Sequence, residues 1–276
     1  MVAALRLRPE FDSELSVVAE VDGQAVGHAL FNPFTVRLLG QEVRAVNLAP
    51  IAIAPAHQRR GLGAELIRLG HARAAEKGYA FSSLLGHPSY YPRFGYQPRA
   101  YGNSSLTLAT ADWPLADWEV RRPRLGDVEM LSALWRDAEG AVDFAIEPGR
   151  ALLDWLSPSP NVESLVFSAD GNIVGYVRAL AAELNQPRIF LARTAEATRG
   201  MSAHLARKAT AATVTLPLHP ASAAAQGLGA CATEAWEAAM VCPLRPSAYD
   251  DYRVQLDAGL RPPGRPFWPT AFDFDS

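Results

Sequence analysis

The sequence predicts an α/β protein, of the α+β kind with a mixed sheet. Three observations predict it. A buried-strand pattern runs straight into a glycine loop and an amphipathic helix between Val46 and Leu69. A strand-hairpin pattern opens the chain at residues 15–31. The same hairpin pattern returns at residues 165–179. Strands interleaved with helices form layers in which helices cover a sheet.

The first hairpin is LSVVAEVDGQAVGHALF, two apolar runs around Asp22-Gly23. Asp-Gly between such runs is a hairpin signal. Residues 32–45 read as loop or strand entering a central strand, the apolar run Val46 to Ile53. Pro50 lies inside that run. A proline cannot donate to a sheet ladder and belongs at edges and bulges, so it is a misfit in a plain buried strand. The loop that follows is Gln58-Arg59-Arg60-Gly61-Leu62-Gly63, and Leu62, Leu66 and Leu69 then fall on one helix face. A strand feeding a glycine loop that opens a helix turns backbone N–H groups outward. With the positive end of the helix dipole they make a site for a phosphate. Gly61 and Gly63 let the backbone turn sharply and a ligand approach closely.

The loop pattern, Gln/Arg-x-x-Gly-x-Gly/Ala, is weak alone: about 0.3 chance matches are expected in a chain of this size from average residue usage. A second match, Gln24 to Ala29, lies inside the hairpin, where no helix can start. The Gln58 copy has the strand before it and the helix after it. On the local pattern, a turn whose glycines serve only packing fits equally well. The downstream residues decide. A short strand, Tyr79 to Leu85, leads into Gly86-His87-Pro88-Ser89-Tyr90-Tyr91-Pro92-Arg93-Phe94-Gly95-Tyr96.

LAPIAIAPAHQRRGLG followed about thirty residues later by HPSYYPRFGY resembles the GNAT superfamily of acyl-CoA-dependent N-acetyltransferases, over roughly residues 15–100. The resemblance implies that the first element grips the pyrophosphate of acetyl-CoA. It implies that Tyr91, in an aromatic-Tyr-x-x-x-Gly-aromatic pattern, stands near the thioester sulfur. It also gives Pro50 a place, because in a GNAT-like sheet this strand is bulged and splays from its neighbour. The splay frees the main chain of Ile51 and Ile53 for the pantetheine arm.

The second hairpin, LVFSADGNIVGYVRA, matches the first at a constant offset: Val17 with Leu165, Asp22 with Asp170, Gly23 with Gly171, Gly27 with Gly175. Such a repeat argues for two related domains. The second copy has a strand pattern at 118–122 and helical sequence before its hairpin, with Asp127 as N-cap and Met130, Leu131 and Leu134 as the apolar face. The first copy has only about fifteen residues there, so in GNAT terms it lacks its opening strand and helices. A mis-chosen start codon, natural truncation and a strand donated by a partner subunit are the open explanations. The expected division is a GNAT domain at 1–113 and a second at 118–244, then a proline-rich tail at 245–276 whose aromatics suggest that it lies across a domain surface. In the second domain, strand 188–193 and helix 195–212 flank TAEATRGM, which lacks the second glycine, and no Tyr-x-x-x-Gly-aromatic segment follows. It is expected to be degenerate and not to bind CoA. The arrangement also resembles the Eis-like acetyltransferases, more weakly.

The chain has 276 residues, is 49% hydrophobic and 20% charged, and carries a net charge of −3. Nothing in that suggests a nucleic-acid or membrane partner. Cys231 and Cys242 have neither redox-pair nor zinc spacing, and the histidines form no metal pair, so no metal is expected. Two lone thiols suit a cytoplasmic protein. No apolar run approaches the ~20 residues of a membrane helix.

Acetyl transfer to an amine needs a held cofactor, a neutral amine, a donor to the oxyanion and a proton for the leaving thiolate. Following the resemblance, holding falls to Gln58, Arg59, Arg60, Gly61, Leu62, Gly63 and Ala64, with Ile51, Ile53 and Tyr91 along the arm. The oxyanion donor is the Ile51 N–H and the acid is Tyr91, whose phenol is protonated at neutral pH. For the base, Glu42 is the nearest candidate. His87 reads as a loop hydrogen-bonder and Tyr90 as a packing residue. The resulting expectation is an acetyl-CoA-dependent N-acetyltransferase acting on a small-molecule or peptide amine by direct attack in a ternary complex, with a homo-oligomer left open. The alternative is a non-catalytic acyl-CoA-binding scaffold.

Overall fold

The computed structural model describes residues 2–275. In chain order the elements are α1 (Val2–Arg6), β1 (Ser16–Val21), β2 (Gln24–Leu38), β3 (Gln41–Ile53), α2 (Leu62–Glu76), β4 (Phe81–Leu85), β5 (Gly102–Ala109), β6 (Glu119–Arg121), α3 (Val128–Glu139), β7 (Val162–Ala169), β8 (Asn172–Leu180), β9 (Ile189–Ala192), α4 (Ala195–Lys208), β10 (Thr213–Leu216), β11 (Ala232–Ala235), β12 (Ala239–Pro243) and α5 (Ala248–Asp257). They form two compact units. The first holds Val2–Gly102 and Ala235–Pro263; the second holds Asn103–Glu234 and the chain from Gly264. No helix among the described residues is long and apolar enough to cross a membrane.

The first unit is a five-stranded sheet in the order β1-β2-β3-β4-β12. All its pairs are antiparallel except β3 with β4. Residues 32–38 and 41–45 are strand, joined by a turn at Leu39-Gly40 with both residues at positive φ. The two-residue turn of this hand matches strand twist and makes one long hairpin of β2 and β3. Helix α2 covers one face, packing on Val17, Ala29, Phe31, Val46 and Leu48. Its buried residues are Leu66, Ile67, Gly70 and Ala74, whereas Leu69, expected on that face, is exposed. The face is rotated because the Phe31 ring seats on Gly70. A Cβ there would stand 2.6 Å from Phe31 Cδ2 and nearer still to two other ring carbons. Gly70→Ala therefore sets two effects against each other. Helix propensity gains about 1 kcal/mol. Overpacking against a fully buried ring costs about 1–3 kcal/mol. The expected result is a net loss of about 1–2 kcal/mol, measured as a lower urea midpoint.

The division expected from sequence is corrected in one respect. The late strand β12 pairs with β4, from Ala239 opposite Leu85 to Pro243 opposite Phe81. Helix α5 follows it: Tyr249 Oη donates to Gln97 Oε1 at 2.9 Å and Tyr252 Oη to the Ala100 carbonyl at 3.0 Å. Residues 235–263 thus complete the first unit and are neither the end of a second domain nor a tail. The first unit ends its early segment at Gly102 rather than at 113.

The second unit contains sheets β6-β7-β8-β9 and β10-β5-β11. Its hairpin repeats the first in detail. Asp170 and Gly171 take φ of 50° and 79°, against 51° and 76° for Asp22 and Gly23. The register slips at matching places, Ala19/Glu20 and Phe167/Ser168. Helix α3 covers this hairpin with Leu131, Leu134 and Trp135, while Met130 is exposed. The Asp127 carboxylate does not cap α3. It pairs with Arg121 at 2.6 Å and accepts from the Arg124 amide. From Gly264 the chain lies across this unit: Phe267 joins the core, Arg178 donates to the Trp268 carbonyl and pairs with Asp273.

Candidate active site

Proline decides the shape of the site. The β2–β3 ladder changes register between Ala29 and Phe31, opposite Ala49-Pro50, a cis peptide. Parallel pairing of β3 with β4 is confined to Val46–Ser82 and Asn47–Ser83. Beyond it the two strands part, and the bulge expected from Pro50 is present. Past the bulge, the Ala54 amide donates to the Val26 carbonyl at 2.8 Å. Bonded pairs alternate along an antiparallel ladder. Ala52 is therefore bonded to His28, and the N–H groups of Ile51 and Ile53 point away from β2, into the gap. The Ile53 carbonyl on that side accepts from Gln58 Nε2 at 3.0 Å.

After the gap comes the loop. Arg59 and Gly61 take left-handed φ of 61° and 86°, which aims the chain into α2. Gly61 is the N-cap and has no side chain to satisfy the first turn. The first intrahelical bond is Glu65 N–H to Gly61 O, so the amides of Leu62, Gly63 and Ala64 face outward. In the second unit the equivalent helix is closed. Only Arg193 separates β9 from the N-cap Thr194, whose hydroxyl accepts from Ala197 N–H, while the Trp118 ring lies against Gly200. The expected loss of the phosphate loop there has this physical form.

Around the open loop is a cavity of about 710 Å³, lined by Ile51, Ala52, Ile53, His57, Gln58, Arg59, Gly61, Leu62, Gly63, Ala64, Arg68, Tyr90, Tyr91, Arg93 and Phe94. Every residue expected from sequence to hold the cofactor lies there except Arg60, which is exposed outside it. Arg68, Tyr90, Arg93 and Phe94 were not expected. Arg93 stacks over the Tyr90 ring at 4.0 Å and the Phe94 ring at 5.0 Å, and Arg68 stands 6.0 Å from Phe94. Arg68 shares a helix face with Ala64, a spacing of four that sequence alone could have shown. Tyr90 packs against the core, as expected, and its hydroxyl also reaches the loop: a Cβ on Gly63 would stand 3.2 Å from it.

Tyr91 opens a 3-10 turn that Gly95 ends in left-handed conformation. Its ring lies against Gly86, where no Cβ would fit. It meets Tyr90 edge-on at 5.0 Å and Tyr96 at 5.8 Å. Burial, with the Tyr90 hydroxyl beside it, raises its pKa. Behind it Tyr96 is bonded to Ser82 at 2.7 Å and to His71 at 2.9 Å.

Glu42 is corrected. It lies at the start of β3 and pairs with Arg37 at 2.7 Å. Ile51 lies nine steps further along the strand, about 30 Å at 3.3 Å per residue. His87 Nδ1 and Ser89 Oγ share a hydrogen bond at 2.9 Å within their own loop, as expected.

An uncapped helix at the mouth of a splayed mixed sheet, with a half-buried tyrosine on the facing wall, defines a class: the GNAT-type acyltransferase fold. Residues 3–99 match the family model described as an acetyltransferase (GNAT) domain. The chain is similar to two curated proteins of Escherichia coli. One is the uncharacterized N-acetyltransferase YjhQ of strain K12, 37% identical over 100 residues, covering 36% of this chain and 55% of that protein. The other is the uncharacterized N-acetyltransferase YhbS, 30% identical over 111 residues, covering 40% and 62%. The match thus spans less than two thirds of either relative. In fold the chain is similar to a GCN5-related N-acetyltransferase from Anabaena variabilis, with TM-score 0.65 at 14% identity, covering 83% of this chain and 62% of that one. It is also similar to Eis1 from Mycobacterium abscessus, with TM-score 0.57 at 18% identity, covering 88% and 69%.

Proposed function

We propose that this protein is an acetyl-CoA-dependent N-acetyltransferase that acts through the first unit on a primary amine of a small molecule or peptide. The observation that carries the reading is the uncapped first turn of α2 opening into the cavity. Three outward amides, the Arg59, Arg68 and Arg93 cations and a glycine at the point of closest approach fit a diphosphate. Acetyl-CoA would supply the activated acyl thioester. Gly61 to Ala64 hold its pyrophosphate, and the main chain of Ile53 and Ile51 aligns the arm. The Ile51 N–H donates to the carbonyl oxygen as negative charge develops there. Tyr91 Oη gives its proton to the departing sulfur.

Among the described residues lining the cavity there is no carboxylate. An acceptor amine that arrives as its free base needs no carboxylate there. kcat/KM rises with pH up to the acceptor's own pKa. Burial raises the Tyr91 pKa above that of a free phenol, so the acid stays protonated over the rising limb. Tyr91→Phe is expected to lower kcat about 100-fold, the low end of the general-acid range, with KM for acetyl-CoA little changed. Release of free CoA thiol across an amine panel checks this, and an unchanged kcat removes Tyr91 from the chemistry. A protein that is stabilised by acetyl-CoA and releases no thiol with any amine is the scaffold instead.

A further inference from the structure

Three polar side chains that the transfer chemistry does not use, Asn32 and Asn47 buried and Ser83 half-buried, cluster where β3 parts from β4. Asn47 is 3% exposed, and its Nδ2 donates to the Ser83 carbonyl and to Ser83 Oγ, both at 3.2 Å. The Ser83 hydroxyl reaches back to the Val46 carbonyl at 3.4 Å. Asn32, also 3% exposed, donates through Nδ2 to the Asn47 carbonyl at 3.1 Å and the Ala49 carbonyl at 2.6 Å. Burying such groups is costly unless each is bonded, and apolar residues would fill the same volume. What the three polar groups add is a fixed distance between the strands at the apex of the splay.

That apex lies behind the inner end of the cavity. On β3 the lining begins at Ile51, and no residue of β4 contributes to it; Tyr91 closes the wall instead. Bonded strands lie about 4.8 Å apart. A polymethylene chain between them needs van der Waals contact of about 4 Å on each side, hence about 8 Å. An acyl group lengthened beyond a carbonyl held at the Ile51 amide runs toward the tied apex.

We propose that the Asn32–Asn47–Ser83 tie limits the site to short acyl groups, acetyl or propionyl, and that loosening it admits longer ones. This rests on the cavity being an acyl-CoA site. The tie sets specificity and takes no part in the transfer itself.

The test compares dissociation constants of CoA, acetyl-CoA, butyryl-CoA and hexanoyl-CoA for the full chain and for Ser83→Ala and Asn47→Ala. Ser83→Ala removes one hydroxyl and leaves the backbone pairing, so it guards against a misfolded Asn47 variant. Binding of CoA itself reports that each variant keeps its site. The expected result is hexanoyl-CoA binding at least 30-fold more weakly than acetyl-CoA to the unaltered chain. That ratio falls at least fivefold in the variants at unchanged CoA affinity, a change that general loosening of the fold would not produce. Equal binding of hexanoyl- and acetyl-CoA by the unaltered chain overturns the proposal and leaves the acyl-CoA reading standing. So does a length profile that both variants share with it. An unaltered chain that binds none of the four overturns the acyl-CoA reading, and the proposal with it.

Discussion

Gly63→Asp should lose acetyl-CoA about 1,000-fold while keeping its melting temperature. The two effects have opposite signs because one carboxylate acts on two states. In the protein without ligand, an acidic residue in the first turn of α2 meets the positive end of the helix dipole, worth about 0.3–1 kcal/mol. Gly63 has ordinary helical φ, so the substitution brings no backbone strain. The new Cβ stands 3.2 Å from the Tyr90 hydroxyl, the free end of a half-buried ring that can yield by a few tenths of an ångström. With ligand, the carboxylate occupies the place of closest approach and faces a diphosphate. Like charges about 4 Å apart at an effective dielectric of 20 repel by about 4 kcal/mol. At 1.4 kcal/mol per tenfold, that is about three orders of magnitude in Kd. Gly63→Asn carries the same shape without charge and should lose no more than about tenfold. Titration calorimetry separates the two variants. If Gly63→Asp binds acetyl-CoA within tenfold of the unaltered chain, the anion does not sit at this helix end.

Local signals were legible in the sequence. Asp22-Gly23 and Asp170-Gly171 form matching turns because positive φ is written into those residue pairs. The loop at 58–63 was readable because strand, glycines and helix are contiguous, and Tyr91 because its glycine and aromatic neighbours are. What depends on partners far along the chain was not. β12 is five apolar residues that name no sheet. The ties from Asn32 to Asn47 and from Asn47 to Ser83 join residues 15 and 36 apart. Arg93 reaches the cavity only through the fold of its 3-10 turn. Glu42 was mistaken for a neighbour of the site because β3 proved to be 13 residues long and placed it at the other end.

Those long-range partners also predict how acid acts on the first unit. His71 lies beneath the site, its Nε2 2.9 Å from Tyr96 Oη and its Nδ1 3.9 Å from Cys242 Sγ, with the Phe31 ring edge-on at 5.8 Å. None of these neighbours offers a negative charge. Burial raises the Cys242 pKa to about 11, and burial also raises that of Tyr96, so both stay neutral. Desolvation then holds the His71 pKa near 4, against 6.5 for the free imidazole. The folded value lies below the unfolded one. Stability is complete above pH 6.5, falls by about 1.4 kcal/mol per pH unit below it, and levels off near pH 4. The total is about 3 kcal/mol, a large share of the stability of an ordinary domain. His71→Gln keeps an amide near the position of Nε2, able to bond Tyr96, and cannot titrate. Carboxylates contribute alike to both proteins and cancel in the comparison. The variant should be less stable than the parent at pH 7 or at most equal, and should gain on it by about 3 kcal/mol by pH 4 in urea unfolding. Parallel pH profiles would mean that His71 already titrates normally in the folded protein. Because the Tyr96 ring backs Tyr91 at 5.8 Å, loosening at His71 should also reach the proton donor. In that case kcat of the parent falls in the same pH window while kcat of the variant does not.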